Sequence, residues 1–279
     1  MYELYLTGTV PDSSLDAACD ILSGLCGMKP WNSLTRQLFF QGSLPPSGIS
    51  SQRSIDKQMR KETAMMWKEL HQSLSRQPFL LQARYDIQQD RDMGPSSNLT
   101  PLDERQGIIR WSDMPDPSHG RPQITQTKIV ELWEQRNIPS IMTDNNFRFK
   151  SEILVESKRF YRDDLEYSLK RSYWLSPLQN YSTVNPQLEP RIPPTALPSW
   201  EQLVPVDPEN RWVLNATLHV LQDNKPDEFK KAQERLIGVQ KELERAFEFK
   251  ALDRRVFDTR LPQRPQGVQT LGNKITVGR

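Results

Sequence analysis

Long apolar runs are missing from this chain of 279 residues. No stretch approaches the ~20 consecutive apolar residues of a membrane helix. The opening Met1-Tyr2-Glu3-Leu4-Tyr5 lacks the basic and apolar regions of a signal peptide. Cysteine is scarce, with only Cys19 and Cys26. Seven residues apart on a helix they would stand about 10.5 Å apart along its axis, too far for a disulfide. They belong to the helical stripe Leu15, Ala18, Cys19, Leu22, Leu25, Cys26 and read as small core hydrophobes in a reducing, intracellular setting.

Excess charge is missing too. Lys and Arg total 37 against 35 Asp and Glu, a net of +2. Residues 261–279 hold Arg264, Lys274 and Arg279 and no acid, so without that tail acids exceed bases by one. A dedicated nucleic-acid binder concentrates basic charge on one face. Arg254-Arg255 is flanked by Asp253 and Asp258, and no direct sequence-specific nucleic-acid binding is expected. Histidines are three, His71, His119 and His219, with no helical metal pair among them. There is no nucleophile elbow, P-loop or dinucleotide glycine pattern. No cofactor is implied.

What the chain has is proline and aromatics: 22 Pro, 7 Trp, 10 Phe and 7 Tyr, with 36% apolar residues. So many rings demand a core, while the apolar fraction lies below the usual ~45–50%. One domain over residues 1–260 fits, with a flexible tail at 261–279.

Strand alternation dominates. Tyr2, Leu4, Leu6 and Val10 alternate with Glu3, Tyr5, Thr7 and Thr9. Similar runs occupy Phe79–Ile87, Phe147–Val155, Leu165–Tyr173 and Trp212–Val220. Leu34–Gln41, the short Ile108–Trp111, Thr127–Glu134 with its apolar, β-branched start, and a last Arg254–Asp258 are also read as strands. Arg162-Asp163-Asp164 makes a hairpin turn between two of them. Helices are expected from Leu15 to about Cys26, stopped by Gly27, over Lys61–Ser75, and from Asp227 to about Phe247. Eight prolines in residues 176–208 mark an irregular insertion loop. About nine strands and three helices give an α+β fold of mainly antiparallel sheet with flanking helices, either solvated on one face or closed into a barrel with a polar interior.

Two groups could carry function. Glu152 and Glu156 fall on one strand face with Arg148, Lys150 and Lys158, a pattern that could hold a metal and a triphosphate. Residues four apart on a strand lie about 13 Å apart, however, too far to share one ion. A solvated face is the plainer reading. The last helix carries Phe229, Ala232, Leu236, Val239, Leu243 and Ala246 at heptad-like spacing. Such a stripe suits a helix lying on its own sheet. The sharper expectation places partner contacts on Phe229, Leu236, Val239 and Leu243.

The residue strings add to the spacing. YELYLTGTV from Tyr2, ILSGLCGM from Ile21, WKELHQSLSRQ from Trp67 and RYDIQQDRDMGP from Arg84 come in order, followed by LWEQRNIPS from Leu132 and FYRDDLEYSLKR from Phe160. VDPENRWVL from Val206, LQDNKPDEFKKAQ from Leu221 and DRRVFDTR from Asp253 complete the set. With these strings the chain resembles the subunit 18 family of the Mediator complex of RNA polymerase II transcription, in its fungal form. The resemblance implies a swivelled antiparallel β-barrel and a nuclear, non-enzymatic coactivator subunit of the Mediator head module. The partners it implies are the structurally similar subunit 20, as a heterodimer, and a C-terminal helix of subunit 8. Through the assembled complex the partner is the polymerase machinery. That barrel type looks like the one in metal-dependent RNA triphosphatases, which supplies the competing expectation of a triphosphate-hydrolysing enzyme using Glu152 and Glu156. The family brings no catalytic motif, so no site residue is carried over.

Overall fold

The computed structural model describes residues 1–50, 61–94, 100–117, 123–175, 193–221 and 225–261. Strand β1 (Tyr2–Val10) leads through a 3₁₀ turn into α1 (Leu15–Cys26), then β2 (Trp31–Gln41), α2 (Lys61–Arg76), β3 (Leu80–Ile87) and the single turn α3 (Gln89–Asp92). Next come β4 (Gly107–Ser112), β5 (Ile124–Gln135), α4 (Ile138–Asp144), β6 (Arg148–Arg162) and β7 (Leu165–Trp174). Then follow β8 (Val204–Pro205), β9 (Trp212–Val220) and α5 (Pro226–Leu243).

Eight of the strands close on themselves. The order is β6-β2-β3-β4-β5-β1-β9-β7, and β7 returns to β6 through the hairpin at Asp163-Asp164. Every pairing is antiparallel. The ninth strand, β8, pairs only with Tyr173 and Trp174 at the end of β7.

The barrel wears its hydrophobic face outward. On β1, Leu4, Leu6 and Val10 join Trp212, Leu214, Ala216, Leu218 and Val220 of β9 in one core beneath α1 and α5. On β2 to β5, Leu38, Phe40, Leu81, Ala83, Ile109, Trp111, Val130 and Leu132 form a second core beneath α2 and α4. Trp67, Leu70 and Leu74 supply the α2 face and Leu236, Val239 and Leu243 the α5 face. Burying one such side chain is worth about 1.5–3 kcal/mol. The opposite residues of each strand line the interior, so of the two arrangements open to the sequence the chain adopts the barrel with a polar lumen.

Two glycines are required by geometry. Gly27 ends α1 at φ 65°, its amide bonded to Ser23 O, in the left-handed region that side chains disfavour. Gly8 lies against the backbone of the segment after α5: a Cβ there would come within 2.8 Å of Glu248 O. Close approach lets Phe249 bridge to Gly8 and the Lys250 amide donate to Thr7 O.

That segment differs from its expectation. Arg254–Phe257, expected as a strand, is a 3₁₀ turn, with the Asp253 side chain accepting from the Arg255 amide, and beyond it Arg260 bridges to Phe79. The local Asp253 cap competes with strand pairing there. The insertion read at 176–208 is described from residue 193 on, where two short elements interrupt an otherwise irregular path. A capping box of Ser199 and Gln202 closes the turn Trp200–Gln202, and β8 follows. Leu197 is buried with Ile87, Leu154, Tyr173 and Leu175 in a third core. The remainder of that insertion, the expected flexible tail from 262 on, and His119 lie outside the described residues.

Candidate functional site

The lumen is built from the residues that alternation turns inward. Glu3, Tyr5, Thr7 and Thr9 come from β1, Arg84 from β3, Arg110 from β4, and Thr127 and Glu131 from β5. Ser157 and Arg159 come from β6, Glu166, Ser168 and Lys170 from β7, and Asn215, Thr217 and His219 from β9. At one end a carboxylate–guanidinium network spans the barrel. Arg110 Nη2 donates to Glu3 Oε2 at 2.5 Å and Nη1 to Glu131 Oε1 at 2.5 Å. His219 Nε2 stands 3.3 Å from Glu3 Oε1, and Arg84 Nη1 3.6 Å from Glu131 Oε1. Burial alone would raise the Glu3 carboxyl, but Arg110 and His219 overcome it and hold the group well below the usual carboxylate range. Glu3 in turn raises His219.

The other end divides in two. Phe257 of the 3₁₀ turn lies edge-on to Tyr5, ring centroids 6.0 Å apart, and closes the side of β1. Beside β7 and β9 the lumen stays open as a cavity of about 540 Å³. Its lining includes Thr35, Arg84, Ser157, Arg159, Lys170 and Ser172, with Asp207 and Arg211 at the mouth. Burial and neighbouring Arg110 press Arg84 down to about 9. Burial also lowers Lys170, with Arg84 and Arg159 adding to the effect.

The two glutamates expected to serve catalysis lie elsewhere. Glu152 projects outside the barrel wall and is 2% exposed. Arg36 Nε donates to its Oε2 at 2.7 Å, and Arg36 Nη2 donates to Pro194 O at 2.5 Å. Burial pushes the Glu152 carboxyl up against the pull of Arg36. This corrects the reading of a solvated face. The cause is a register shift at Phe39/Phe40, where Ser151 and Phe149 take consecutive partners and Lys150 is left over. Such a bulge inverts the alternation between Arg148 and Glu152. Glu156 accepts from Tyr173 Oη at 2.8 Å and from Arg171 Nη2 at 3.1 Å, also outside the lumen. Neither carboxylate faces the cavity or the other's partners. Among the described residues no group of three or more His, Cys, Asp and Glu could hold a metal ion. The lumenal acids Glu3 and Glu131 are held by arginines, so the residues do not fit a metal-dependent triphosphatase.

The helix stripe is occupied. Leu236, Val239 and Leu243 are buried against the chain's own barrel, and Phe229 lies edge-on to Tyr2 at 5.1 Å. These side chains cover the outward faces of β1 and β9 within the chain itself. His71 Nδ1 meets Ile49 O at 2.8 Å, a structural contact.

Sequence reasoning overlooked Glu3, Arg84, Arg110, Arg159 and Lys170. A signal was present for Glu3 and Lys170, which occupy the polar parity of an alternating strand, whereas Arg159 shares its face with Ile153 and Val155. Which strands face one another is not written in that parity.

Three kinds of likeness accompany this geometry. The family model described as Med18 protein matches residues 2–260. A curated Aspergillus fumigatus protein, "Mediator of RNA polymerase II transcription subunit 18", is 21% identical over 280 residues, covering 93% of this chain and 99% of that protein. A Coccidioides immitis protein of the same name is 26% identical over 153 residues, covering 55% of this chain and 54% of that one. Among solved structures, a chain of the Schizosaccharomyces pombe Mediator head module aligns with a TM-score of 0.59 at 15% identity, covering 94% of this chain and 100% of that chain. At that identity the likeness speaks for the fold.

Proposed function

The chain belongs to the Med18 family, matched over residues 2–260, and from that premise we propose that it is a non-enzymatic component of the Mediator complex. It acts as a protein–protein scaffold of the head module, in the nucleus, where Mediator bridges gene-specific regulators to RNA polymerase II and the general machinery. Residues 1–260 work as one barrel domain in this reading. The observation that carries it is the family match across all eight barrel strands.

The finer partners are subunit 20, as a heterodimer, and a C-terminal helix of subunit 8. Large apolar side chains left in solvent support a role in contacts: Trp31 is 67% and Trp133 61% exposed. Surface aromatics of this kind are favoured at protein interfaces. The triphosphate-hydrolysing alternative has no support, since Glu152 and Glu156 lie outside the lumen with arginine partners of their own.

Affinity purification of the tagged full chain from nuclear extract tests the reading. Other Mediator subunits should co-elute in stoichiometric amounts, and recovery of the chain alone overturns it. Coexpression with subunit 20 and the subunit 8 helix should yield a ternary species on size exclusion. Failure there would remove those two partners and leave the wider assignment standing.

A further inference from the structure

The open part of the lumen gathers cations that its own acids do not match. Arg110 takes up both Glu3 and Glu131. That leaves Arg84, whose Nε and Nη2 donate to the neutral Gln82 Oε1 at 3.2 and 2.9 Å and whose nearest carboxylate is Glu131 at 3.6 Å, and Arg159, with Glu166 only at 3.9 Å. The Lys170 ammonium makes no hydrogen bond or ion pair within 4 Å among the described residues, with Glu166 attracting it from farther off. Further donors nearby are idle: Arg159 Nε, Ser168 Oγ and Arg171 Nε are buried without a hydrogen-bond partner among those residues. The rest of the Arg171 guanidinium is engaged. It donates to Glu156 and Asp12 and stacks on Trp212, its guanidinium 4.4 Å from the ring centroid. Arg211 at the mouth is likewise held by Asp207.

We propose that this cavity binds a phosphate-type oxyanion between Arg84, Arg159 and Lys170, without a metal ion. Three features fit. The cations come from β3, β6 and β7 and share one cavity of about 540 Å³, ample for a phosphate group. Hydroxyls of Thr35, Ser157 and Ser172 line the same walls, and a tetrahedral dianion can accept from several donors at once. Finally, like charges in a desolvated lumen repel, and a bound dianion relieves that repulsion while gaining charge-assisted hydrogen bonds. The inference stands apart from the coactivator role, which requires no small ligand.

The test is calorimetric titration of the full chain with inorganic phosphate, and separately with glycerol 3-phosphate, in EDTA and against sodium chloride of matched ionic strength. Saturable binding of either is expected. Equal affinities mark a site for the free anion, and preference for the ester marks a site for phosphate esters; both support the proposal. Lys170→Met should weaken binding about tenfold, the equivalent of about 1.4 kcal/mol, and Lys170→Arg should restore most of it. Arg84→Gln gives an independent loss should Lys170→Met fail to fold. Heat indistinguishable from the chloride control, binding that appears only when EDTA is left out, or affinities unchanged in both Lys170→Met and Arg84→Gln would each overturn it.

Discussion

Arg36 and Arg110 are both arginines held on carboxylates, on opposite sides of one barrel wall. Outside, Arg36 is 1% exposed and meets a single acid, Glu152, itself 2% exposed, with the Pro194 and Thr195 carbonyls as its other partners. Inside, Arg110 is 11% exposed and divides itself between Glu3 and Glu131, 17% and 10% exposed. The outer pair is dry and solitary. The inner one belongs to a chain of charges that opens into a cavity. The difference teaches where charge is structural and where it is adjustable. On the outer face charge is tolerated only when fully matched, because helices and the 193–203 segment exclude water. On the inner face a surplus persists because the cavity can share it.

The strongest way to break that contrast is Glu152→Ala. It leaves the Arg36 guanidinium buried and unmatched, and a loss of about 3–5 kcal/mol is expected. Urea unfolding measures it. Replacing both partners at once, Arg36→Met with Glu152→Leu, should cost much less, since an apolar pair of similar volume often matches a buried ion pair. If the single and double replacements cost the same, the outer pair is not the isolated unit described above.

Next in size is Leu236→Ala. Leu236 is wholly buried between α5 and the outer strand faces, and truncation should cost about 3 kcal/mol by chemical denaturation. A change near zero would mean that α5 detaches from the barrel in solution.

The inner network is sharpened by acid. The folded Glu3 carboxyl titrates well below its ordinary value of 4.5. Its contribution is therefore fully present above about pH 4.5 and is lost as pH falls below that value toward the folded one. Glu3→Gln should cost about 2 kcal/mol at pH 7, the scale of a charged hydrogen bond. It should also flatten the decline of stability below pH 4.5. Parallel curves for parent and variant over that range would refute the ionised network.

Much of this was legible in advance and the boundary is physical. All eight barrel strands were legible, five of them from alternation, because a wall with one apolar and one polar face imprints period two on a strand. Gly27 and the α5 stripe were equally plain. Glu152 was misplaced because a bulge consumes one residue, Lys150, and leaves no mark in composition. Its partner Arg36 lies 116 positions away, beyond any local pattern. The lumenal network fails for the same reason: Arg110 and Glu3 are 107 positions apart and meet only once β5 pairs on both sides. Order in the segment after residue 193 was hidden by its prolines, which signal loops whether or not tertiary contacts fix them.

The smallest expected effect concerns the layer beyond both faces, the solvent side of α5. Gly238 sits in the helix interior, and a Cβ added there meets nothing within 4 Å. Glycine at such a place costs about 1 kcal/mol relative to alanine through the freedom it gives the unfolded chain. Gly238→Ala should accordingly stabilise the isolated chain by about that amount, visible as a raised melting temperature. The same substitution sharpens the comparison in the assembled state. The inner stripe of α5 is spent on the barrel, so any partner of this helix meets its outer side. If Gly238→Ala raises the melting temperature yet lowers recovery of Mediator subunits, a partner packs closely at that bare position. If stability rises and recovery is unchanged, the outer side of α5 at Gly238 stays in solvent, and contacts belong to surfaces such as those around Trp31 and Trp133.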